Sequence, residues 1–443
     1  MGISYKLSAA IFLSFLLGGI GVWRFAEGNR DALIFLKNGP FRAAYLVADA
    51  DAERVDITIV VQTGEADATG PGGLAHYVEH LSWLNANKEA GPDAARHSNA
   101  QTTSMATSYE ATVALGSLDT GLTRLTKIWS PLTIDPEFMK EERGIVLREY
   151  DLSTRNDSFA PIWDGMFRSL YGGYPLSRSV IGTPQSIAAF TVEDAAALRS
   201  KTHLTANMVL IIKGDLSGSD AQSAISALGL PDAVSTPPAA ISIAPEEPLN
   251  DISAVSTPGT VPVQMLELRL ATSNDCGTSA ACNAGLVLLN DLLISSLPGG
   301  LAKPLRFDAF ISQGFDVWVS HPDRTHTLMS FSGRPDQDVA LPALSSAFDD
   351  AMAYLALNGI PEDTFQKIKD RVIADWSRID DVPGTIYRNT IASVRNREEP
   401  YDLQDNIAAV KAYTLADLDR MIRALANPDR KVIRYVKPAE QER

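Results

Sequence analysis

The spacing of apolar residues predicts alternating strands and helices in the first half of the chain. Val55, Ile57, Ile59 and Val61 occupy every second position, which is typical of a half-buried strand. The segment "NMVLIIKGDLS" contains a continuous apolar run of the kind that a fully buried strand shows. A glycine-rich turn, "ATGPGG", precedes "LAHYVEHLSW", and we expect a helix to begin there.

The second half repeats this order in outline. Strand patterns occur in "VQMLELRLATS", "GFDVWVS", "THTLMSFSG" and "KVIRYV", and "AACNAGLVLLNDLLIS" predicts a helix. Residues 235–251 are rich in proline, alanine and acid, and they predict a linker between two α+β halves of roughly 200 residues each. We therefore predict an internal duplication, with domains at 29–234 and 252–443.

The net charge of the chain excludes one class of binding partner. The chain has 443 residues, of which 45% are hydrophobic, so it is a globular protein rather than a disordered one. Its formal net charge of −15 repels phosphate backbones. Nucleic acid is therefore not an expected partner.

The N-terminus carries a targeting pattern. Residues 7–23 contain no charged side chain and follow Lys6. Residues 1–28 are predicted to be a cleaved signal peptide or an uncleaved membrane anchor. We favour the anchor because no small-residue cleavage site follows the apolar run. Either form predicts an exported chain, membrane-anchored or otherwise extracytoplasmic, for example periplasmic.

The chain contains two cysteines, Cys276 and Cys282. An exported protein meets an oxidising compartment, so these thiols can form a disulfide. Their spacing equally suits two buried thiols at the start of a helix. Both alternatives remain open, and neither suggests a cysteine zinc site.

Two of the six histidines, His76 and His80, lie one helical turn apart. Residues i and i+4 share a helix face, so both imidazoles can turn towards one point. Imidazole suits Zn²⁺, and a catalytic zinc takes three protein ligands and leaves one position open. Glu79, between them, is then placed to take a proton from water. The pattern H-x-x-E-H is the inverted zinc-protease motif.

A third ligand must come from elsewhere, and "EERGIVLREYD" is a candidate source. Glu142 and Glu149 lie seven residues apart, which is two helical turns on one face, with Val146 between them. Such a helix is able to turn two carboxylates inwards. A solvated amphipathic helix with ordinary surface acids would show the same pattern.

Four ordered segments resemble one protein family. They are "GGLAHYVEHLSW", "HSNAQTTSMATSY", "EERGIVLREYD" and "YPLSRSVIGTPQSI" with "NMVLIIKGD". In this order they resemble the insulinase, pitrilysin and mitochondrial-processing-peptidase family of inverted-motif zinc metallopeptidases. The resemblance covers nearly all of residues 30–218 and continues more weakly beyond them.

This resemblance implies a fold and a role for each matching residue. The fold is α+β, with two homologous domains, each a mixed, mostly antiparallel sheet with helices packed on one face. His76, His80 and Glu149 would bind one zinc ion per chain, and Glu79 would be the catalytic general base. Glu142 would support a ligand histidine. Two further residues, Asn99 and Ala100, would begin an exposed strand edge that binds an extended peptide.

The sequence departs from the family pattern in three places. The interval of 69 residues between His80 and Glu149 is shorter than the family usually shows. Met105 stands where the family often has glutamate. Arg306 matches an arginine that contacts the substrate carbonyl, but Phe315 falls on the position of a tyrosine, and a phenyl ring cannot donate a hydrogen bond.

The expected function is that of a zinc endopeptidase acting on peptides or unfolded polypeptide. The alternative is a non-catalytic assembly or peptide-binding subunit of the same fold, while a hydrolase of another substrate class has no supporting feature. Family members enclose the substrate between two two-domain halves, so the resemblance implies a dimer with a second family subunit. Phe315 favours a heterodimer over a homodimer. If the chain were active alone, Tyr109 or a backbone amide would have to stabilise the oxyanion.

Overall fold

The computed structural model describes residues 33–36, 39–132, 135–233, 241–257, 261–379 and 382–439. The predicted targeting segment, residues 1–28, lies outside these ranges. Across the ranges that the structure describes, none of the helices combines the length and the apolar character that a membrane span requires.

The first half of the chain contributes a six-stranded sheet and eight helices within the described residues. Its strands are β1 Leu33–Leu36, β2 Ala43–Ala48, β3 Arg54–Val61, β4 Ser98–Thr102, β5 Thr107–Ala114 and β6 Met208–Gly214. Its helices are α1 Leu74–Asn87, α2 Gly91–Arg96, α3 Leu118–Leu125, α4 Pro136–Asn156, α5 Ala160–Tyr171, α6 Pro184–Ala188, α7 Val192–Thr202 and α8 Gly218–Ala227.

This first sheet is mixed and mostly antiparallel. Its strand order is β1-β2-β6-β3-β5-β4, and only β2 and β6 run parallel to each other. The predicted alternation in β3 is confirmed: Val55, Ile57, Ile59 and Val61 all enter one core, which α3 and α8 cover. The strand β4 forms one edge of the sheet and pairs with β5.

The second half contributes a five-stranded sheet and six helices, again within the described part. Its strands are β7 Leu249–Thr257, β8 Gln264–Thr272, β9 Ser312–Asp323, β10 His326–Pro335 and β11 Arg430–Pro438. Its helices are α9 Ser279–Ile294, α10 Leu341–Asn358, α11 Glu362–Trp376, α12 Val382–Arg395, α13 Leu403–Ala412 and α14 Leu415–Ala426.

The second sheet has the order β7-β11-β8-β10-β9, with a single parallel pair, β7 and β11. One of its faces packs against α9, α10, α11 and α14 around Phe331 and Phe348. Both halves therefore contain a mixed, mostly antiparallel sheet with a helical layer, as the sequence predicts.

The far face of each sheet is covered by a helix from the other half of the chain, which the sequence did not predict. The helix α12 of the second half packs Ile391 and Val394 against Val60, Val209 and Ile211 on the far face of the first sheet. Conversely, α5 of the first half packs on the far face of the second sheet. The central strands β3, β6 and β8 are largely buried on both faces, and the apolar residues of each second face need a cover that removes them from water.

The structure describes part of the predicted linker, residues 235–251, and both cysteines. Residues 249–251 of the predicted linker belong to β7, while residues 234–240 lie outside the described ranges. The exact domain limits stay a prediction.

Cys276 and Cys282 form a disulfide beside the start of α9. Of the two alternatives that the sequence left open, the structure therefore contains the disulfide and not two free thiols.

Candidate metal centre

The helix α1 carries the histidine pair, and its start is fixed by local contacts. Gly73 precedes it with φ of 88°, and a Cβ there would lie 2.7 Å from the carbonyl oxygen of Ile181. Glycine is therefore required for this close turn. The Ala75 amide donates to Oε2 of the buried Glu65 at 3.0 Å, which satisfies one free donor at the helix start.

The imidazoles of His76 and His80 turn towards one point. Their Nε2 atoms lie 3.2 Å apart. Oε2 of Glu149 lies 3.3 Å from Nε2 of His80 and 3.7 Å from Nε2 of His76. Ligands held by zinc at about 2.0–2.1 Å in tetrahedral geometry stand about 3.3–3.4 Å apart. The spacing of these three donors fits a zinc ion.

Glu149 and Glu142 both come from α4, which begins after the N-cap Asp135. Val146 lies between the two acids and is fully buried, so this face of α4 points inwards. Oε1 of Glu142 lies 2.6 Å from Nδ1 of His80. A carboxylate at the second nitrogen of a ligand histidine fixes the orientation of its ring. Nδ1 of His76 is buried and has no such partner within the described chain.

In the metal-free protein, the electrostatics already favour a positive charge at this point. Burial lowers the pKa of His80, but the hydrogen bonds with Glu142 and Glu149 more than offset it and raise the value to about 10. Burial, together with the charge on His80, lowers the pKa of His76 to about 3. Burial opposes ionisation of Glu149, yet the hydrogen bond and charge of His80 hold its pKa below the ordinary value.

One proton on Nε2 of His80 therefore lies among the three donors, where a metal cation would lie. The neutral His76 ring can accept a hydrogen bond from this proton, and the carboxylate of Glu149 is a negatively charged neighbour. Zinc binding would displace that proton, since ligand imidazole must be neutral.

Glu79 lies beside the three donors and is almost completely buried. Its Oε2 accepts a hydrogen bond from the Thr102 hydroxyl at 2.8 Å. Burial raises the pKa of Glu79 to about 7, although the charge of His80 and the bond from Thr102 act in the opposite direction. A pKa near neutrality suits a group that both takes and returns a proton.

The predicted peptide-binding residues lie on the edge strand next to this centre. Asn99 and Ala100 belong to β4, whose described pairing is with β5. Asn99 is exposed, and Thr102, at the end of the same strand, is the residue that contacts Glu79. An unpaired strand edge can take up an extended peptide by main-chain hydrogen bonds.

Three other predicted residues do not join the cluster. Arg306 is exposed, with its guanidinium over the Phe307 ring at 5.5 Å, and no bond joins it to the histidines in the described part of the chain. Phe315 stacks on Phe331 at 5.8 Å beside the second core. Tyr109 is buried with its hydroxyl 2.8 Å from Nε2 of His203, and its suggested contact with an oxyanion stays a prediction.

Sequence reasoning missed the role of Thr102. The residue stands in the quoted segment "HSNAQTTSMATSY", three positions after Asn99, and its place there was the available signal. Its contact with Glu79 depends on how β4 packs beside α1, which the local pattern does not encode.

The two mixed sheets with their helical layers, together with the histidine-carboxylate cluster, define a two-part α+β fold with a candidate metal centre. Residues 44–183 match the family model described as "Insulinase (Peptidase family M16)". The resemblance to the insulinase family that was inferred from the sequence is therefore confirmed over this part of the chain.

Two curated relatives are similar to part of this sequence. A "Probable mitochondrial-processing peptidase subunit beta" of Schizosaccharomyces pombe is 23% identical over 176 residues, which cover 38% of this chain and 38% of the relative. An "Uncharacterized zinc protease" of Rickettsia felis is 24% identical over 189 residues, covering 41% and 45% respectively. The match thus spans less than half the length of either relative.

Solved structures extend the likeness of the fold over nearly the whole chain. The periplasmic protease PqqL of Escherichia coli superposes with a TM-score of 0.75 and 14% identity, covering 94% of this chain and 48% of that one. An inactive M16 peptidase domain of Pseudomonas fluorescens superposes with a TM-score of 0.72 and 15% identity, covering 93% and 99%. The same fold therefore occurs with and without activity.

Proposed function

We propose that this chain is a zinc-dependent endopeptidase that hydrolyses peptides or unfolded segments of proteins. The observation that carries the proposal is the convergence of His76, His80 and Glu149, with Glu79 beside them. A buried acid with a pKa near 7 beside a set of zinc-type donors is an arrangement that can support metal-assisted hydrolysis of a peptide bond.

Each residue then has a distinct task. His76, His80 and Glu149 hold one zinc ion, and Glu142 keeps the His80 ring in its orientation. When bound, zinc supplies a lowered pKa for water and polarises a peptide carbonyl. Glu79 takes the proton of the attacking water and gives it to the leaving amine. The contact with Thr102 holds the Glu79 carboxylate in place.

The substrate is proposed to bind as an added strand. The edge of β4 offers backbone donors and acceptors at Asn99 and Ala100, so recognition depends mainly on the peptide backbone. Such binding requires an extended chain, because a folded protein has few free strand segments. This favours peptides and unfolded polypeptide as the substrate class.

A second family subunit is proposed to complete the active enzyme. A developing oxyanion needs a preorganised donor, and the loss of one such donor elsewhere costs about 2.7–4 kcal/mol, or roughly a hundred- to a thousandfold in rate. Phe315 has no hydroxyl and is packed against Phe331, so a homodimer would repeat the deficiency. A heterodimer whose partner carries a hydrogen-bond donor would supply it.

The alternative function is a non-catalytic assembly or peptide-binding subunit. Phe315 in place of tyrosine, and the existence of inactive domains with this fold, are the observations that favour it. The chain is further proposed to be exported, with residues 1–28 as anchor or signal, which would place the centre outside the cytoplasm.

One experiment separates these functions. The purified full chain is assayed for cleavage of unstructured fluorogenic peptides, alone and with a family subunit that carries the tyrosine, with and without chelator. We expect weak cleavage by the chain alone, a large gain with the partner, and loss of both activities on chelation. Robust turnover by the pure chain would rule out the need for a heterodimer. Stoichiometric zinc without cleavage in either preparation would favour the binding subunit.

A further inference from the structure

We propose that Arg397, in the second half of the chain, is a positioning residue for the candidate active site in the first half. The inference rests on the proposed function and extends it to a residue far away in sequence. Its side chain joins two segments that lead directly to α1 and β4, the elements that carry Glu79 and its partner Thr102.

The first contact is with the turn between β4 and β5. Both Nε and a terminal nitrogen of Arg397 donate to the carbonyl oxygen of Met105, at 3.1 and 3.0 Å. That turn is closed by Thr103, whose amide donates to the carbonyl of Ala106 at 2.8 Å. Thr102 immediately precedes the turn and donates to Glu79. A displacement of the turn therefore displaces the residue that holds the general base.

The second contact is with the segment that precedes α1. Arg397 forms an ion pair with Oδ2 of Asp67, which also accepts from the amide of Gly64 at 2.8 Å. Glu65, between these residues, accepts from Ala75 in the first turn of α1. Arg397 thus holds residues 64–67 through Asp67, and these residues contact the start of α1 through Glu65, which also pairs with Arg178.

The segment before α1 and the turn after β4 are in direct contact with each other. The amides of Glu65 and Ala66 donate to the carbonyls of Thr103 and Ser104 at 3.1 and 2.9 Å. A Cβ on Gly64 would lie only 2.4 Å from the carbonyl oxygen of Thr103. Arg397 binds on both sides of this junction, and its side chain is 8% exposed. The guanidinium is therefore buried between the two segments and connects them, and it is not a surface cation.

The backbone of Arg397 gives an independent reason to assign a role to its side chain. Its φ is 61°, in the left-handed region. Its amide donates to the carbonyl of Val394 at 3.0 Å, and the Glu398 amide donates to Ser393 at 2.8 Å. This pair of bonds is the Schellman ending of α12, where glycine is the usual residue at the left-handed position. An arginine there is unfavourable for the backbone, which indicates that its side-chain contacts compensate.

The neighbouring contacts of α12 agree with this role. Arg395 donates to the hydroxyl of Ser108 at 2.5 Å and to Glu110 at 3.0 Å, both on β5. Gln62, just after β3, donates to the carbonyl of Val394 at 3.0 Å. The end of α12 is thus attached to the first sheet on the side next to the edge strand, and Arg397 extends this attachment to the turn.

The test compares the full wild-type chain with Arg397→Gly and Arg397→Lys. Glycine relieves the left-handed backbone but removes the bonds to Met105 and Asp67. The variant is therefore expected to fold and to keep its zinc content, with a lower melting temperature because Asp67 loses its partner. A misplacement of about 1 Å at a catalytic group can cost on the order of a hundredfold. We therefore expect kcat for peptide cleavage to fall roughly ten- to a hundredfold with KM little changed, and lysine to restore part of it.

A second readout does not depend on activity. Amide hydrogen exchange at residues 98–107 should become faster in Arg397→Gly and remain unchanged in Arg371→Gln, which removes only an exposed ion pair with Asp291. Wild-type kcat with unchanged exchange in Arg397→Gly would overturn the inference, as would a defect confined to KM. A wild-type chain that cleaves nothing would contradict the proposed function instead, and the exchange result alone would then decide the role of Arg397.

Discussion

Two clusters of charged side chains, one in each half of the chain, differ in how their charges are matched. In the second half, the fully buried Arg269 donates to Glu267 at 2.5 Å and to the carbonyl of Leu425 at 3.2 Å, and it also pairs with Asp349. Its guanidinium lies over the Phe348 ring at 4.4 Å. Opposite charges therefore meet each other there, although Oε2 of Glu267 is buried without a hydrogen-bond partner among the described residues.

In the first half, two imidazole rings and one carboxylate face one another. The Nε2 atoms of His76 and His80 approach to 3.2 Å, with the carboxylate of Glu149 beside them and these three side chains 14–32% exposed. Such an arrangement is favourable only with a cation among the donors, which a proton or a metal ion can supply. Oppositely charged groups that are closed off from water stabilise the fold, whereas convergent donors that remain partly exposed indicate a candidate binding site.

The largest expected effect is at the general base. Glu79→Gln removes the group that takes the proton while leaving the three donors intact, so peptide cleavage should fall by about 10²–10⁴-fold. Zinc content, measured on the same preparation, should remain that of the wild type. The exposed Glu137→Gln is a matched control and should leave cleavage unchanged. Near-wild-type turnover in zinc-loaded Glu79→Gln would remove Glu79 from this role.

The closed cluster should respond in the opposite way. Arg269→Met leaves Glu267 buried without its partner, and breaking such a pair is expected to cost about 3–5 kcal/mol in the free energy of unfolding. Zinc binding and cleavage per folded molecule should not change. Urea unfolding gives the free energy, and Arg371→Met, at an exposed ion pair, should cost no more than about 1 kcal/mol. Equal effects of both variants would mean that burial does not distinguish these pairs.

A smaller effect should appear in the pH dependence of the metal-free protein. The pKa of His80 rises from the ordinary 6.5 to about 10, since hydrogen bonds with Glu142 and Glu149 outweigh burial. A raised pKa in the folded state stabilises the fold fully below about pH 6.5, and this contribution disappears as the pH rises towards 10. Metal-free wild type should therefore lose more stability than His80→Gln between these pH values, by at least about 1 kcal/mol, the value of roughly one pKa unit.

Urea midpoints of both proteins at pH 6.5 and 9.5 provide the measurement. Zinc-loaded wild type should not show the extra loss, because a ligand imidazole carries no such proton. Identical losses in wild type and variant would show that His80 is not held in its charged form.

The local elements of both halves were predictable because their signals are local. The alternation in β3 and the apolar run in β6 state which faces are buried. Likewise, the four-residue interval between His76 and His80 places both rings on one face of α1. Helix periodicity placed Glu142 and Glu149 on one face of α4, but it left a solvated amphipathic helix open, and only the family resemblance favoured an inward face.

Contacts between the halves were not predictable in this way. The apolar stripe of α12 shows that the helix is covered, but it does not identify the first sheet as the covering surface. The same holds for α5 on the second sheet. In the sequence, Arg397 is an ordinary charged residue after a helix. Only the three-dimensional fold brings its side chain into contact with Met105 and Asp67.

Zinc stoichiometry tests the central claim most directly. The full chain, stripped with chelator and titrated with Zn²⁺ in a calorimeter, should bind one ion per molecule and release protons in doing so, because the proton on His80 must leave. His76→Ala, His80→Ala and Glu149→Ala should each lose this binding, while Arg371→Gln retains it. Folded wild type that binds no zinc, or a Glu149→Ala variant that binds it as tightly as wild type, would contradict the assignment of these three residues as the metal ligands.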